Sequence, residues 1–223
     1  MKNLSAKILP AFMLLSSVLL LYIGVPRFLA ELMLVPGTPI YEQLNLGEKV
    51  SDEDLDILQE SREQAISFVD HPKAYNQLGF VFILRAQRAD SETERDMYAQ
   101  QAITALKTSL QLAPVNTFAW ARLASAYMLA GPENNEKAVE AWRTSVALAR
   151  FEPFSFLSRN HMGIFLFDSM TEEDHAKLRE QINLTYDWNR TQLRDYARQN
   201  SLVEWVAFLL YEHPDKAAWI REK

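Results

Sequence analysis

The sequence contains no cysteine and only six glycines among its 223 residues. The absence of cysteine excludes disulfide bonds, thiolate metal sites and a cysteine nucleophile. The scarcity of glycine argues against glycine-rich phosphate-binding loops and against a turn-rich sandwich or barrel. With only 6 Gly against 7 Met, 12 Phe, 8 Tyr and 5 Trp, this composition favours an all-α protein.

Recognisable catalytic motifs are also missing. No two of the four histidines have the spacing of a zinc motif. Glu172 and His175 match one half of a di-metal bundle motif, but the second half is absent, and helix capping explains them better. No nucleophile elbow or dinucleotide fingerprint occurs. The sequence predicts a protein that is not an enzyme and has no catalytic residues, cofactor or metal; an enzyme with an acidic pair assembled only by folding is the alternative.

The charge is unevenly distributed along the chain. Residues 1–36 contain three basic residues and one acidic residue. The net charge of −6 therefore corresponds to +2 on this segment and −8 on residues 37–223. An acidic body is repelled by the phosphates of nucleic acids, so we expect no nucleic-acid partner.

A long uncharged stretch near the N-terminus predicts a membrane anchor. Residues 8–26 carry no charge, and at about 1.5 Å per residue they span roughly 28 Å, close to the thickness of a hydrocarbon core. We predict a transmembrane helix with an interfacial extension over residues 8–35; the alternative for its last part is a short core helix of the following domain. A cleaved secretory signal is the other alternative, but Phe28 occupies the −3 position of the nearest cleavage site, after Ala30.

The basic residues predict the orientation. Lys2 and Lys7 precede the span, whereas Arg27 and Glu31 nearly cancel after it. Residues 1–7 should therefore form a cytoplasmic tail, and the domain should face the periplasm from the inner membrane of a bacterium.

Turn and capping residues divide the rest of the chain. Pro36 and Gly37 predict a break, followed by an extended linker over residues 36–50. Ser51, followed by acidic residues, predicts the N-cap of the first helix in a domain that covers residues 51–223.

Two segments repeat one spacing of aromatic, leucine and small residues. The first-helix positions are Tyr75, Leu78, Gly79 and Phe82, matched by Trp120, Leu123, Ala124 and Tyr127. Second-helix positions follow as Ala102, Leu106, Ser109 and Pro114, and then as Ala138, Trp142 and Ser145. This spacing resembles the tetratricopeptide repeat (TPR). The resemblance implies an α-solenoid of helical hairpins that cross closely where a small residue meets a bulky one.

The resemblance predicts repeats over about 73–114 and 118–150, a degenerate third repeat over 154–188, and capping helices over 191–221. The first repeat has an insertion of about eleven residues and the second an insertion of two, relative to the family. In the third repeat, Met162, Gly163 and Leu166 fit the pattern, but Arg159 stands in the tryptophan position. Thr171 predicts the capped start of the partner helix.

Two surfaces are candidates for binding a partner. In TPR proteins the first helices line a concave groove, and the resemblance implies the groove residues Lys73, Asn76, Phe80, Phe118, Arg122, Ser125 and Asn160. Their alternative is an ordinary solvated or half-packed role. The C-terminal segment is dense in large apolar residues, so Trp205, Phe208 and Trp219 predict either an interface or packing against the protein's own core.

These features predict a membrane-anchored TPR scaffold or accessory subunit. We expect protein partners in a membrane complex of the bacterial envelope, such as polysaccharide export, secretion or maturation machinery, with membrane contact through residues 8–35. The alternative is an anchored adaptor that captures a peptide tail in the groove.

Overall fold

The computed structural model describes residues 2–222, with side chains for all of these except 2–8 and 11. This part of the chain contains eleven α-helices and no β-strand, which confirms the predicted all-α fold. The chain divides into two compact units, one up to Val81 and one from Phe82 onward.

The helices follow one another with short connections. The first unit contains α1 (Lys2–Leu34), α2 (Thr38–Asn45) and α3 (Asp52–Phe68), and α4 (Pro72–Arg88) begins in this unit and ends in the second. The second unit continues with α5 (Glu92–Leu112), α6 (Thr117–Leu129), α7 (Asn135–Leu148), α8 (Phe156–Phe165), α9 (Glu172–Gln199), α10 (Val203–Leu209) and α11 (Pro214–Arg221).

Helix α1 carries a long apolar segment. The 23 residues Phe12–Leu34, with a mean hydropathy of 1.9 over their most apolar 18 residues, are long and apolar enough to cross a membrane by length and composition. Their large side chains are mostly exposed, as Leu15 at 72% and Leu20 at 70% show. The side chains of Lys2 and Lys7, on which the predicted orientation depends, lie outside the described residues.

The last turns of α1 belong to the core of the first unit. Ala30 and Leu34 are buried and pack in one cluster with Ala65 of α3 and Ala74 of α4. Three alanines allow the helices to approach closely at this point. The packing agrees with the alternative interpretation of residues 28–35, a core helix of the domain.

The extended linker predicted for residues 36–50 is wrong, because this segment contains helix α2. Pro39 lies in its first turn, where the fixed φ of proline favours a helix. Ile40 is buried, and the Tyr41 ring meets the Phe80 ring edge-to-face with centroids 6.3 Å apart. These contacts make α2 part of the first unit. Gly47, with φ +77°, follows the end of the helix in the left-handed region that glycine favours.

Helix α3 begins as predicted. The Ser51 hydroxyl accepts a hydrogen bond from the Asp54 amide at 3.1 Å, and the Asp54 carboxylate accepts one from the Ser51 amide at 3.1 Å. This reciprocal pair is a capping box. Leu55 and Leu58, one turn apart, are both buried on the inner face.

Small residues at the predicted crossing positions are buried. Ala102, Ala124 and Ala138 each have 0% exposure in the second unit. The third hairpin, α8 with α9, uses Gly163: a Cβ atom placed there would lie 2.4 Å from Cδ1 of Leu178. Only glycine lets these two helices approach at this distance without displacing a buried leucine.

Helix α9 is kinked at Asn189, whose φ of −155° and ψ of 81° are not helical. The Asn189 side chain accepts a hydrogen bond of 3.0 Å from the Gln192 amide and so caps the part that follows. The repeat pattern was predicted to end near this point. Helices α10 and α11 then occupy the C-terminal segment for which capping helices were predicted.

Candidate protein-interaction site

The predicted groove residues are divided between the two units. In the first unit, Lys73 is exposed, whereas Asn76 is buried with 7% exposure. Phe80 is half-buried, and its ring packs against Tyr41 of α2. Asn76 therefore belongs to the packed interior, and Phe80 already has an aromatic partner within its own unit.

In the second unit, three groove residues share one face of α6. Phe118, Arg122 and Ser125 are spaced by four and three residues, which places them on one side of a helix. Phe118 is 38% exposed, and Arg122 and Ser125 are half-buried. This face offers an aromatic ring, a cation and a hydroxyl group along about two turns.

Asn160, the last predicted groove residue, is not accessible. It has 0% exposure, and its Nδ2 donates a hydrogen bond of 2.8 Å to Oγ1 of Thr185 on α9. Its prediction as a partner-binding residue is corrected by this contact, because α8 turns Asn160 toward α9. The repeat pattern predicts where a residue lies along its helix. Whether its side chain is exposed to solvent depends on the neighbouring helix.

The C-terminal helices expose two of the three predicted interface aromatics. Trp205 is 40% exposed and Phe208 is 55% exposed, and their rings lie 6.1 Å apart. Phe167 meets Trp205 at 5.3 Å and stacks on His175 at 3.8 Å. We call this group, Phe167, His175, Trp205 and Phe208, the C-terminal aromatic surface. No signal in the sequence indicated Phe167, because it lies in a short 3-10 turn with no repeat pattern. His175 was assigned to the capped start of its helix and not to a surface.

Trp219 is instead occupied within the protein. The guanidinium carbon of Arg194 lies 4.0 Å from the centroid of its ring, and that of Arg190 lies 4.9 Å away. Tyr186 meets the same tryptophan edge-to-face at 5.6 Å. Two cations and one ring therefore already cover this side chain.

Other apolar residues of α10, and Leu210 directly after it, serve the protein's own core. Val206, Ala207, Leu209 and Leu210 are buried. The helix is thus amphipathic: one face packs inward and the other presents Trp205 and Phe208. The inward face of the segment packs against the protein's own core, and an interface on the exposed face stays a prediction.

Two titratable groups with shifted pKa values, Tyr196 and His161, contact each other. Burial raises the pKa of Tyr196 to about 12 and lowers the pKa of His161, and the Tyr196 hydroxyl is hydrogen-bonded to Nδ1 of that histidine. The His161 ring also packs against Phe165 at 4.6 Å. In the described part of the chain, no three potential metal ligands lie together.

Comparison with known proteins supports the fold. No family model matches the chain, and no curated protein matches it significantly. Among solved structures, it is similar to TTC0263, a thermophilic TPR protein of Thermus thermophilus, with a TM-score of 0.54 and 14% sequence identity over 85% of this chain and 92% of that chain. At this identity the similarity concerns the fold alone. The fold is a TPR-like helical repeat.

Proposed function

We propose that the protein is a membrane-anchored scaffold or accessory subunit that assembles protein partners in a complex of the bacterial envelope. The observation that carries this proposal is the continuity of α1. Its exposed apolar part is suited to a bilayer, while Ala30 and Leu34 near its end are buried in the core of the first unit. One helix therefore serves both as anchor and as part of the domain. The proposed machinery is that of polysaccharide export, secretion or maturation.

The same packing supports an uncleaved anchor over a secretory signal. Cleavage after Ala30 would remove this residue from its contact cluster with Ala65 and Ala74. It would also leave Leu34 without the helix that positions it. The proposed topology places the N-terminus in the cytoplasm and the domain in the periplasm, in agreement with the basic residues before the span.

The anchor is tested by fractionation of bacterial membranes that contain the full chain. We expect the protein to stay with the membranes after an alkaline carbonate wash and to have the intact mass of 25.7 kDa. The matched variant Leu15→Lys with Leu20→Lys places two charges in the apolar segment and should shift the protein to the soluble fraction. A soluble wild-type protein that begins near Glu31 would contradict an anchor.

The C-terminal aromatic surface is the proposed partner contact. Exposed tryptophan and phenylalanine side chains are enriched at protein interfaces and often contribute most of the binding energy. Truncation of α10 and α11 is a poor test, because it removes the buried residues Val206 and Leu209 as well. Substitution of the exposed residues separates partner binding from folding.

Affinity purification from detergent-solubilised membranes tests this contact. We expect Trp205→Ser with Phe208→Ser to reduce the recovery of copurifying proteins at least tenfold. Phe154→Ser is the matched control, since Phe154 is 91% exposed in the same unit but outside the C-terminal aromatic surface. Equal recovery with the double variant and the control would argue against this surface.

Capture of a peptide tail is the second candidate function. It is favoured by the row of Phe118, Arg122 and Ser125 on α6. Phe118→Ala with Arg122→Ala should weaken peptide capture at least tenfold while the helical circular dichroism stays unchanged. Phe80 is a poor target for this test, because its ring packs against Tyr41.

A further inference from the structure

The second unit contains a cleft between α5, α6 and α7 that no predicted site includes. Its volume is about 360 Å³, which lies at the lower end of the range for small-molecule and side-chain pockets. Trp120, Leu123 and Tyr127 of α6 form its apolar part, Lys107 of α5 and Lys137 of α7 lie on two sides, and Glu140 of α7 also lines it. We call it the lysine cleft.

Two ammonium groups from different helices converge on one ring in this cleft. Nζ of Lys107 lies 5.7 Å from the Tyr127 ring centroid, and Nζ of Lys137 lies 5.8 Å from it. Lys137 also donates a hydrogen bond of 3.2 Å to Oδ1 of Asn134. In the described part of the chain, neither lysine forms an ion pair with a carboxylate. Each of these ammonium groups attracts an anion that enters the cleft.

The local charge is opposite to that of the whole domain. Residues 37–223 carry a net charge of −8. The lining of the lysine cleft is instead net positive, because it contains two lysines, Lys107 and Lys137, and one glutamate, Glu140. A positive site with an apolar floor is complementary to a ligand that combines a carboxylate with an apolar side chain. Inorganic anions lack the apolar part, and neutral apolar ligands lack the charge.

The lysine cleft is separate from the face of α6 that carries Phe118, Arg122 and Ser125. At 3.6 residues per turn, Trp120, Leu123 and Tyr127 fall on the opposite side of this helix. Substitutions in the cleft therefore test a different surface from the predicted groove. Two partners could occupy the two faces of α6 at the same time.

We propose that the lysine cleft binds an acidic, apolar segment of a partner protein. An aromatic or aliphatic side chain enters over Trp120, and a flanking carboxylate meets Lys107 and Lys137. Glu140 disfavours a second carboxylate on its side of the cleft and so gives the bound segment a direction. This binding does not depend on the membrane anchor.

Fluorine NMR of the full chain in detergent micelles tests the proposal. Labelling with 5-fluorotryptophan introduces one probe at each of the five tryptophans, and Trp120→Phe assigns the signal of interest. The ligand is the peptide Ac-Asp-Leu-Phe-Gln-NH2, and its matched neutral form contains Asn in place of Asp. We expect the acidic peptide to shift the Trp120 signal in a saturable way, to leave the Trp205 signal unchanged, and to bind at least tenfold more tightly than the neutral form.

Charge variants test whether Lys107 and Lys137 cause the tighter binding of the acidic peptide. Lys107→Gln with Lys137→Gln should raise the Kd of the acidic peptide at least tenfold, and higher salt should weaken binding to the wild type. Lys49→Gln is the matched control, because Lys49 is exposed and lies outside the cleft. If the double variant fails to fold, Lys107→Gln alone, at an exposed position, should still raise the Kd severalfold. An unmoved Trp120 signal, equal binding of the neutral peptide, or unchanged binding in the lysine variants would each overturn the proposal.

Discussion

The guanidinium of Arg62 donates a hydrogen bond of 2.8 Å from Nη1 to the carbonyl oxygen of Leu34, the last residue of α1. Its Nε donates a second hydrogen bond of 2.8 Å to Oε1 of Gln77 on α4. Burial lowers the pKa of Arg62 to about 10, so the side chain remains charged at neutral pH. Carbonyl groups at the end of a helix carry partial negative charge, and a cation there is stabilising. Arg62 thus joins the N-terminal helix to α3 and α4.

Replacing this arginine should destabilise the first unit. We expect Arg62→Met to lower the free energy of unfolding by about 2–3 kcal/mol, because Leu34 and Gln77 lose their buried donor. The measurement is denaturant unfolding of the full chain in detergent micelles. Arg27→Met is the matched control: Arg27 also donates to a helix carbonyl, that of Ile23, but it is exposed, so a change within about 0.5 kcal/mol is expected. Equal stability of both variants would contradict a structural role for Arg62.

A large side chain at Gly163 should separate α8 from α9. Gly163→Leu is expected to cost several kcal/mol of unfolding free energy, because Cδ1 of the buried Leu178 lies 2.4 Å from the position of the new Cβ. Gly24→Leu is the control, since no atom lies within 4 Å of a Cβ there. Melting temperatures measured by circular dichroism would distinguish the two.

Gly79 is also buried, and Gly79→Leu is expected to be similarly destabilising. A melting temperature of this variant within a degree or two of that of the wild type would contradict the helix-crossing argument at Gly79.

Arg159 should be essential to the junction between α7 and α8. It has 0% exposure, donates from Nε to Oγ of Ser145 at 3.0 Å and from Nη1 to the carbonyl oxygen of Ala149 at 2.7 Å, and burial lowers its pKa to about 10. We expect Arg159→Met to cost about 3 kcal/mol in denaturant unfolding, because these buried acceptors lose their donor.

Two further variants sharpen this test of Arg159. Arg159→Trp restores the residue type of the repeat pattern, yet it should be as destabilising as methionine, since an indole offers one donor in place of several. Arg150→Met is the control, because Arg150 pairs with Glu180 at a site where it is 68% exposed and should contribute little. A stabilised Arg159→Trp protein would show that the arginine is not required.

The ion pair of Asp174 and Arg143 predicts a pH dependence of stability. Arg143 donates from Nε and Nη2 to the two carboxylate oxygens at 2.7 and 2.8 Å, and this holds the pKa of Asp174 well below its usual range. The folded pKa is depressed, so the stabilisation is complete above the ordinary Asp pKa of about 4 and declines as the pH falls below it. The unfolded carboxylate takes up its proton first.

Unfolding measured between about pH 7 and pH 2 tests this ion pair. Asp174→Asn should cost about 2 kcal/mol at pH 7, and the difference from wild type should shrink as the pH falls below about 4. Glu173→Gln, at an exposed neighbouring position, should leave the pH profile nearly unchanged. A constant difference between wild type and Asp174→Asn at every pH would show that Asp174 stabilises the fold without its charge.

Local signals in the sequence were accurate where short-range contacts decide the structure. The caps at Ser51 and Thr171 both form capping boxes, because each depends only on residues three positions apart. The small residues of the repeat are buried, because a helix crossing needs them wherever the hairpins pack. The prediction of an extended linker over residues 36–50 was wrong for the opposite reason. Helix α2 in this segment is stabilised by the burial of Ile40 and by the contact of Tyr41 with a residue distant in the chain.

The candidate sites were less predictable than the fold. Asn76 and Asn160 occupy groove positions of the repeat pattern, but both are buried. The lysine cleft was missed because Lys107 and Lys137 come from separate helices and meet only at Tyr127. Exposure of a side chain depends on every neighbouring element, and spacing along one helix does not contain that information.

By itself, the sequence determined the helical fold, its caps, its small crossing residues and an apolar N-terminal helix. These properties follow from periodicity and from local hydrogen bonding, which act over a few residues. The tertiary structure alone decided that α1 ends inside a core against Arg62, that Trp205 is open while Trp219 is covered, and that two lysines share a cleft. Such contacts join residues far apart in the chain, so they exist only once the helices have packed.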